Sequence, residues 1–217
     1  MLKVGLRGNG GLFLYIYPMN DDLSNPAYWN ALYETHQTNW DIGAISTPLK
    51  EYIDQLTRKD LAILIPGCGN SYEAEYLLQQ GFTNITVVDI SPLLTEKLAE
   101  KFKAFTPHPL TIITSDFFDM KGQYDLILEQ TFFCALPPSR RNDYVHKMYS
   151  LLKPGGKLAG VLFNRSFAGG PPFGGSTEEY KPLFEQLFTL KTLAPCYNSI
   201  KPRMGSEVFL LAQKLSD

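Results

Sequence analysis

From residue 61 onward the chain alternates short, nearly unbroken apolar runs with longer stretches whose apolar residues recur every three or four positions. The runs fall at residues 61–65, 85–89, 110–114, 124–129 and 157–163. A strand covered by helices on both faces has no solvent side, so it loses the in–out alternation of a half-exposed strand. The stretches between are punctuated as helices. Asn70 is placed to cap the first, with Glu73 three residues on and Gly81 as its stop. Ser91-Pro92 opens the next, with proline in the first turn, where its missing N–H costs nothing. "SRRNDYVHKMYSLLKPGG" reads as a helix that closes at Lys153-Pro154-Gly155, and "LFTLKTL" and "SEVFLLAQKL" read as two further strands. Ahead of all this lie a helix over 26–35 and a second after Pro48, with Leu49, Ile53 and Leu56 on one face. The alternation predicts an α/β fold: a doubly wound, Rossmann-like sheet of seven mostly parallel strands. Ligands of such sheets bind beyond the carboxyl ends of the strands, so the chemistry is expected just after each run.

Composition narrows the partners. With 44% hydrophobic and 19% charged residues in 217, the chain can bury a sizeable core as one domain over 26–217. A net charge of −2 offers no basic surface for a nucleic acid or an anionic membrane. Three cysteines, Cys68, Cys134 and Cys196, form no disulfide framework. No apolar run approaches the roughly 18 residues of a membrane helix. The expectation is a cytoplasmic protein, monomeric or a small homo-oligomer, with no nucleic-acid or membrane partner. Residues 1–25 are expected to be a flexible leader. "LFLYIY" within it is too short and too interrupted for a signal peptide, and translation starts at either Met1 or Met19.

The strand ends carry the candidate chemistry. The first run ends in Pro66-Gly67-Cys68-Gly69, where glycines let a ligand approach the backbone. About twenty residues on, Asp89 ends "ITVVD", where a carboxylate can accept both hydroxyls of a ribose. A cap before Ser91-Pro92 is the plainer role for it. A nicotinamide dinucleotide would use the same two features. Its fingerprint, however, needs a third glycine under the pyrophosphate, and Tyr72 stands there. A nucleoside without phosphates needs no such space, which favours S-adenosylmethionine. After the third run come Ser115, Asp116 and Phe117, suited to an adenine amino group and its ring, or to a polar cap with core phenylalanines. After the fourth, Gln130 leads into the aromatic loop Phe132-Phe133-Cys134, where a methyl group and its acceptor would meet.

"PGCG", "VVDIS", "SDFF", "FFCALPP", "LLKPGG" and "GGPPF", in this order, resemble the thiopurine S-methyltransferase family, and within it the thiol and halide methyltransferase branch. The likeness extends to "YWNALYETHQTNWDIGAISTPL" and so covers nearly everything after Asn25. It implies a class I methyltransferase fold with an amino-terminal helical lid over 26–57. Trp29 and Tyr33 match aromatics that cover the cofactor, with tyrosine where the family generally has tryptophan. Trp40 matches a residue between cofactor and acceptor. Gly67, with Gly69 beside it, matches the backbone contact to the methionine part, Asp89 the ribose carboxylate, and Asp116-Phe117 the adenine contacts, with Ser115 a further cofactor-binding candidate beside them. Gln130 stands where relatives have Tyr or Arg, near the methyl group. The implied acceptor wall is Trp40, Gln130, Phe132, Phe133 and Cys134.

The resulting expectation is an S-adenosylmethionine-dependent methyltransferase acting on a small soft nucleophile: a thiol, thiocyanate, a halide or a thiopurine-like compound. Transfer is a direct in-line displacement, with proximity as the main tool and no certain catalytic residue. Core packing is the plainer role for Trp29 and Trp40. His36, His108 and His146 share no metal spacing, and no metal is expected. Cys134 has no partner in its motif to make it a nucleophile. The "PPF" before Gly174 is like a run of nucleic-acid amine methyltransferases, but here it follows the fifth strand instead of the fourth. Two alternatives stand beside this reading: a nicotinamide-dependent oxidoreductase, and a non-catalytic protein that holds a nucleoside cofactor.

Overall fold

The computed structural model describes residues 23–216, so most of the expected leader, and the choice between Met1 and Met19, lie outside the described residues. The last leader residues are tied down. Leu23 is buried and its carbonyl accepts the Trp29 indole N–H at 2.9 Å, while the Asn25 side chain caps the first helix at Ala27 N.

Two helices precede the sheet, α1 (Pro26–Glu34) and α2 (Thr47–Asp54). Strands β1 (Ile63–Pro66), β2 (Ile85–Asp89), β3 (Leu110–Thr114), β4 (Tyr124–Gln130) and β5 (Leu152–Phe163) then alternate with α3 (Tyr72–Gln79), α4 (Pro92–Lys101) and α5 (Arg141–Leu151). After β5 come α6 (Thr177–Glu185), β6 (Thr189–Pro195) and β7 (Glu207–Gln213). The sheet order is β3-β2-β1-β4-β5-β7-β6. β1 to β5 run parallel, and β7 lies antiparallel to both β5 and β6. The carboxyl ends of β1 to β5 therefore share one edge of the sheet with the amino end of β7. That edge is where the candidate residues gather.

The alternation of side chains splits the core between the faces. Ile63 and Ile65 of β1 pack with Leu49, Ile53, Leu77 and Leu94 of α2, α3 and α4. Leu64 between them packs in the other cluster, with Tyr144, Met148, Tyr180 and Phe184 of α5 and α6. Both faces are covered, which is why the strands read as unbroken apolar runs.

Two local expectations are corrected, and one element is added. Asn70 does not cap α3. Ser71 holds that position at φ 55° with no side-chain cap bond, and the Asn70 amide turns to Asp41. The helix before β5 stops at Leu151, because Leu152 already pairs with Tyr124 and "KPGG" forms an irregularity within the strand. Finally, α6 was not anticipated. Ser176 caps it at Glu179 N, but only Tyr180 and Phe184 are buried, with Leu183 partly so, and Pro182 interrupts the pattern. No described helix is long and apolar enough to cross a membrane.

Candidate active site

A cavity of about 770 Å³ opens along the carboxyl edge of the sheet, beneath α1 and the segment that follows it. Its floor is made by the strand ends. Gly67 and Gly69 take φ of 54° and 50°, a region that only glycine enters without strain. The two glycines serve different ends. A Cβ on Gly67 would overlap the Phe132 ring, so this glycine exists to let Phe132 pack over the turn. A Cβ on Gly69 would meet only the Tyr33 hydroxyl, at 3.8 Å, so its backbone faces open space. Asp89 is 8% exposed, and its oxygens accept from Ser91 N at 3.0 Å and Gly69 N at 3.3 Å. It does not cap α4, because Ser91 does so through Leu94 N. Burial raises its carboxyl pKa, against the lowering effect of those N–H donors.

Asp116 accepts from Phe118 N at 2.8 Å and so caps a short helical turn. Phe117 is 4% exposed and stacks edge-on against Phe132. Both nevertheless line the cavity with Ser115. The cap-and-core role and a ligand contact therefore occupy the same residues.

The roof is aromatic. Trp40 receives Trp29 and Tyr33 edge-on, each with ring centroids 5.8 Å away. Burial drives the Tyr33 hydroxyl pKa far up, so it stays protonated. This roof is fastened on both sides. Asp41 accepts from Asn70 Nδ2 at 2.5 Å and from the Tyr72 hydroxyl at 3.3 Å. The Ser91 hydroxyl donates to Asn30 at 2.5 Å. On the far side, Arg203 donates to the Trp40 carbonyl at 2.9 Å and pairs with buried Glu207 at 3.4 Å.

The loop after β4 forms the remaining wall, and Glu129 shapes it. This carboxylate has no exposure. It accepts from Phe132 N at 3.0 Å, from Phe133 N at 2.9 Å and from the Tyr144 hydroxyl at 2.7 Å. Burial raises its pKa to about 7. Thr131 beside it takes φ 60°. Gln130, Phe132 and Cys134 line the cavity. The Gln130 Oε1 is buried with no partner among the described residues. Burial holds the Cys134 thiol protonated, and it donates to the Thr131 carbonyl at 3.3 Å.

Phe133 is not part of this wall. It is 1% exposed and packs against Tyr144, Tyr180 and Phe184, because Glu129 grips its N–H and turns the ring into the core. All the other site residues expected from the sequence line the one cavity: Trp29, Tyr33, Trp40, Gly67, Gly69, Asp89, Ser115, Asp116, Phe117, Gln130, Phe132 and Cys134. Glu129 and Arg203 had no signal in the sequence beyond being polar residues near strand ends. Among the described residues no group of three His, Cys, Asp or Glu side chains could hold a metal ion.

The charges of the lining are sorted. Its acids are Asp41, Glu73, Asp89 and Asp116, which belong to the roof, follow β1 or β3, or end β2. Its guanidiniums are Arg140, Arg165 and Arg203, which follow β4 and β5 or precede β7. The sheet order therefore puts an acidic half beside a basic half, with the apolar Trp40, Phe132 and Cys134 also in the lining.

The model of the thiopurine S-methyltransferase family matches residues 24–214. A probable thiol methyltransferase of Arabidopsis thaliana is 30% identical over 186 residues, 82% of this chain and 81% of that one. A thiocyanate methyltransferase of Brassica oleracea is 28% identical over 185 residues, covering the same shares. A thiopurine S-methyltransferase of Acinetobacter baylyi is 26% identical over 188 residues, 76% of this chain and 86% of that one. Among solved structures, a didemethyltoxoflavin N-methyltransferase of Burkholderia thailandensis, crystallised with S-adenosylhomocysteine, shares the fold. Its TM-score is 0.71 at 19% identity, over 93% of this chain and 92% of that one.

Proposed function

Because this chain belongs to the thiopurine S-methyltransferase family, we propose that it moves a methyl group from S-adenosylmethionine to a small, soft, anionic nucleophile. The observation that carries this reading is the sorted lining: an acidic half suited to a cationic cofactor, a basic half suited to an anion, and apolar residues among them. The cofactor fits the residues present. Gly69 offers open backbone, and Asp89, Asp116 and Phe117 line the same cavity, Asp89 as the candidate for ribose hydroxyls and Asp116 with Phe117 for adenine. When bound, the cofactor supplies a methyl group on a sulfonium, which an in-line acceptor takes while S-adenosylhomocysteine leaves.

The residues of the chain contribute position and dryness. Trp29, Tyr33 and Trp40 cover the site and exclude water. Glu129 fixes the loop that presents Gln130, Phe132 and Cys134. Holding two reactants in line can supply roughly 7–11 kcal/mol in favourable cases. The lining carboxylates, Glu73 with its pKa raised to about 7 among them, belong to the acidic half and not to the wall of Trp40, Phe132 and Cys134, so that wall carries no general base. Cys134 stays protonated, and Glu129 is enclosed behind the loop. Acceptors already ionised near neutral pH are therefore favoured. A net charge of −2 gives a polyanion such as DNA no overall attraction.

The test is transfer from labelled cofactor to iodide, thiocyanate, hydrosulfide, thiophenol, a catechol and an amine. Turnover of the sulfur and halide acceptors is expected. Good methylation of the catechol or amine with failure of every sulfur and halide acceptor would overturn the acceptor assignment and leave the cofactor assignment standing.

A further inference from the structure

The three guanidiniums on the basic side of the cavity are not equivalent. Arg140 is paired with Asp143 at 2.9 Å and lies over the Phe118 ring. Arg203 is paired with Glu207 and donates to the Trp40 carbonyl. Arg165 has no carboxylate and no hydrogen-bond acceptor for its side chain among the described residues. Its guanidinium rests 4.9 Å from the centre of the Phe167 ring, which in turn packs on Phe163.

The backbone that carries Arg165 is held firmly. Its carbonyl accepts from Gly175 N at 3.0 Å, in an isolated bridge between the two residues. A Cβ at Gly174 would overlap that same carbonyl, so glycine is required there for the chain to pass. Buried Arg141 donates to the Gly174 carbonyl at 2.6 Å and pairs with Glu179 on α6. Phe173 N donates to the Cys134 carbonyl at 2.6 Å, which fastens the same loop to the acceptor wall. An uncommitted cation is thus displayed from a braced loop at the cavity lining, beside apolar Phe163, Phe167, Pro171 and Pro172. It is exposed and so stands at the mouth of the cavity, whereas Cys134 in the same lining is buried.

We infer that Arg165 is a specificity-determining residue that binds a second anionic group on the acceptor, so that the preferred substrates include thiols bearing a carboxylate remote from the sulfur. This rests on the methyl-transfer reading above and adds the substrate class. A planar guanidinium accepts a carboxylate through two parallel hydrogen bonds, and an arginine with no internal partner gives up none to do so. The apolar residues beside it lower the solvent screening that makes exposed ion pairs weak.

The experiment compares mercaptopropionate with its neutral amide, in wild type, Arg165→Met and Arg165→Lys. The measured quantity is the ratio of kcat/KM for acid over amide, which cancels general damage to the enzyme. In Arg165→Met the ratio is expected to fall about tenfold, the size of one charge-assisted hydrogen bond, with the change in KM. Arg165→Lys should restore part of it. A ratio unchanged by Arg165→Met overturns the inference. Calorimetric titration of the S-adenosylhomocysteine complex with the same two thiols reads binding without turnover. If wild type methylates neither thiol yet binds the acid more tightly in a manner lost in Arg165→Met, the anion site stands, and transfer to iodide and thiocyanate by the same preparation decides the methyl-transfer reading. Equal binding of acid and amide by wild type refutes the anion site whatever the turnover.

Discussion

Glu129→Gln should change both the pH dependence of stability and the pH profile of turnover. The carboxyl of Glu129 is fully buried, and its pKa is raised from 4.5 to about 7, chiefly by desolvation. A folded-state pKa above the unfolded one means that the folded protein binds the extra proton between those values. Stability is then fully present below about pH 4.5 and is lost as pH rises through about 7. The interval corresponds to roughly 3 kcal/mol. A glutamine resembles the protonated acid: one oxygen can still accept from Phe132 N, and its amide can donate to the Tyr144 oxygen. Near pH 5 the variant should therefore match the wild type to within about 1 kcal/mol. Near pH 8 it should be the more stable protein by about 2–3 kcal/mol, since it carries no buried charge. Urea unfolding of both proteins across that range gives the difference. Glu73, also raised to about 7 by burial, is present in both and cancels.

Function should move the other way. The ionised Glu129 accepts from both backbone N–H groups and the tyrosine hydroxyl together, whereas the protonated acid must turn one oxygen from acceptor to donor, so the ionised form holds Gln130, Phe132 and Cys134 more firmly. Iodide has no proton to lose, and turnover of iodide by the wild type should rise as pH passes about 7. Glu129→Gln should be slow and flat. Parallel stability curves for the two proteins between pH 5 and 8 would show that Glu129 does not titrate as its burial demands, and the account of the loop would fall with it.

Gly67→Ala should weaken S-adenosylhomocysteine binding and lower stability by about 1–3 kcal/mol, because the added Cβ meets both Phe132 and a φ of 54°; normal thermal unfolding and affinity would refute this. Asp89→Ala should weaken the same binding by about 1.5–3 kcal/mol in calorimetry, the range for hydrogen bonds to a charged group. It also frees Gly69 N and Ser91 N, so unchanged affinity would reduce Asp89 to a turn residue. We expect residues 26–43 to exchange amide hydrogens faster without S-adenosylhomocysteine than with it. Arg203→Met, which removes the bond to the Trp40 carbonyl, should widen that gap; equal protection in both states counts against a lid.

The strands and the site residues were legible in the sequence for different reasons. β1 to β5 could be read because strands covered on both faces leave continuous apolar runs, and the site followed because ligands lie where such runs end. Phe133 was misplaced because its neighbours Phe132 and Cys134 do line the cavity, and sequence adjacency does not say which ring Glu129 turns inward. Asn70 looked like a cap because residue type and spacing fitted. A contact 29 residues away, to Asp41, took its side chain instead. α6 escaped because two core residues and an internal proline leave too little periodicity. Arg165, Arg203 and Glu129 were invisible for one shared reason: their roles depend on which other charges lack or supply partners, and that is settled only when distant loops meet.

The same placement bears on where recognition charge belongs in such a site. An anionic acceptor is most charged before it reacts and loses charge as its new bond to carbon forms. A cation placed against the reacting atom would stabilise the ground state more than the transition state, and would improve binding at the expense of kcat. The reacting atom is better surrounded by groups without charge, and Trp40, Phe132 and protonated Cys134 are such groups. Arg140 and Arg203, which also reach the cavity, are each partly neutralised by a carboxylate of the chain. Only a charge that holds a remote part of the acceptor acts equally on ground and transition states. An uncommitted guanidinium at the mouth, on a loop braced by Arg141 and Gly174, meets that condition.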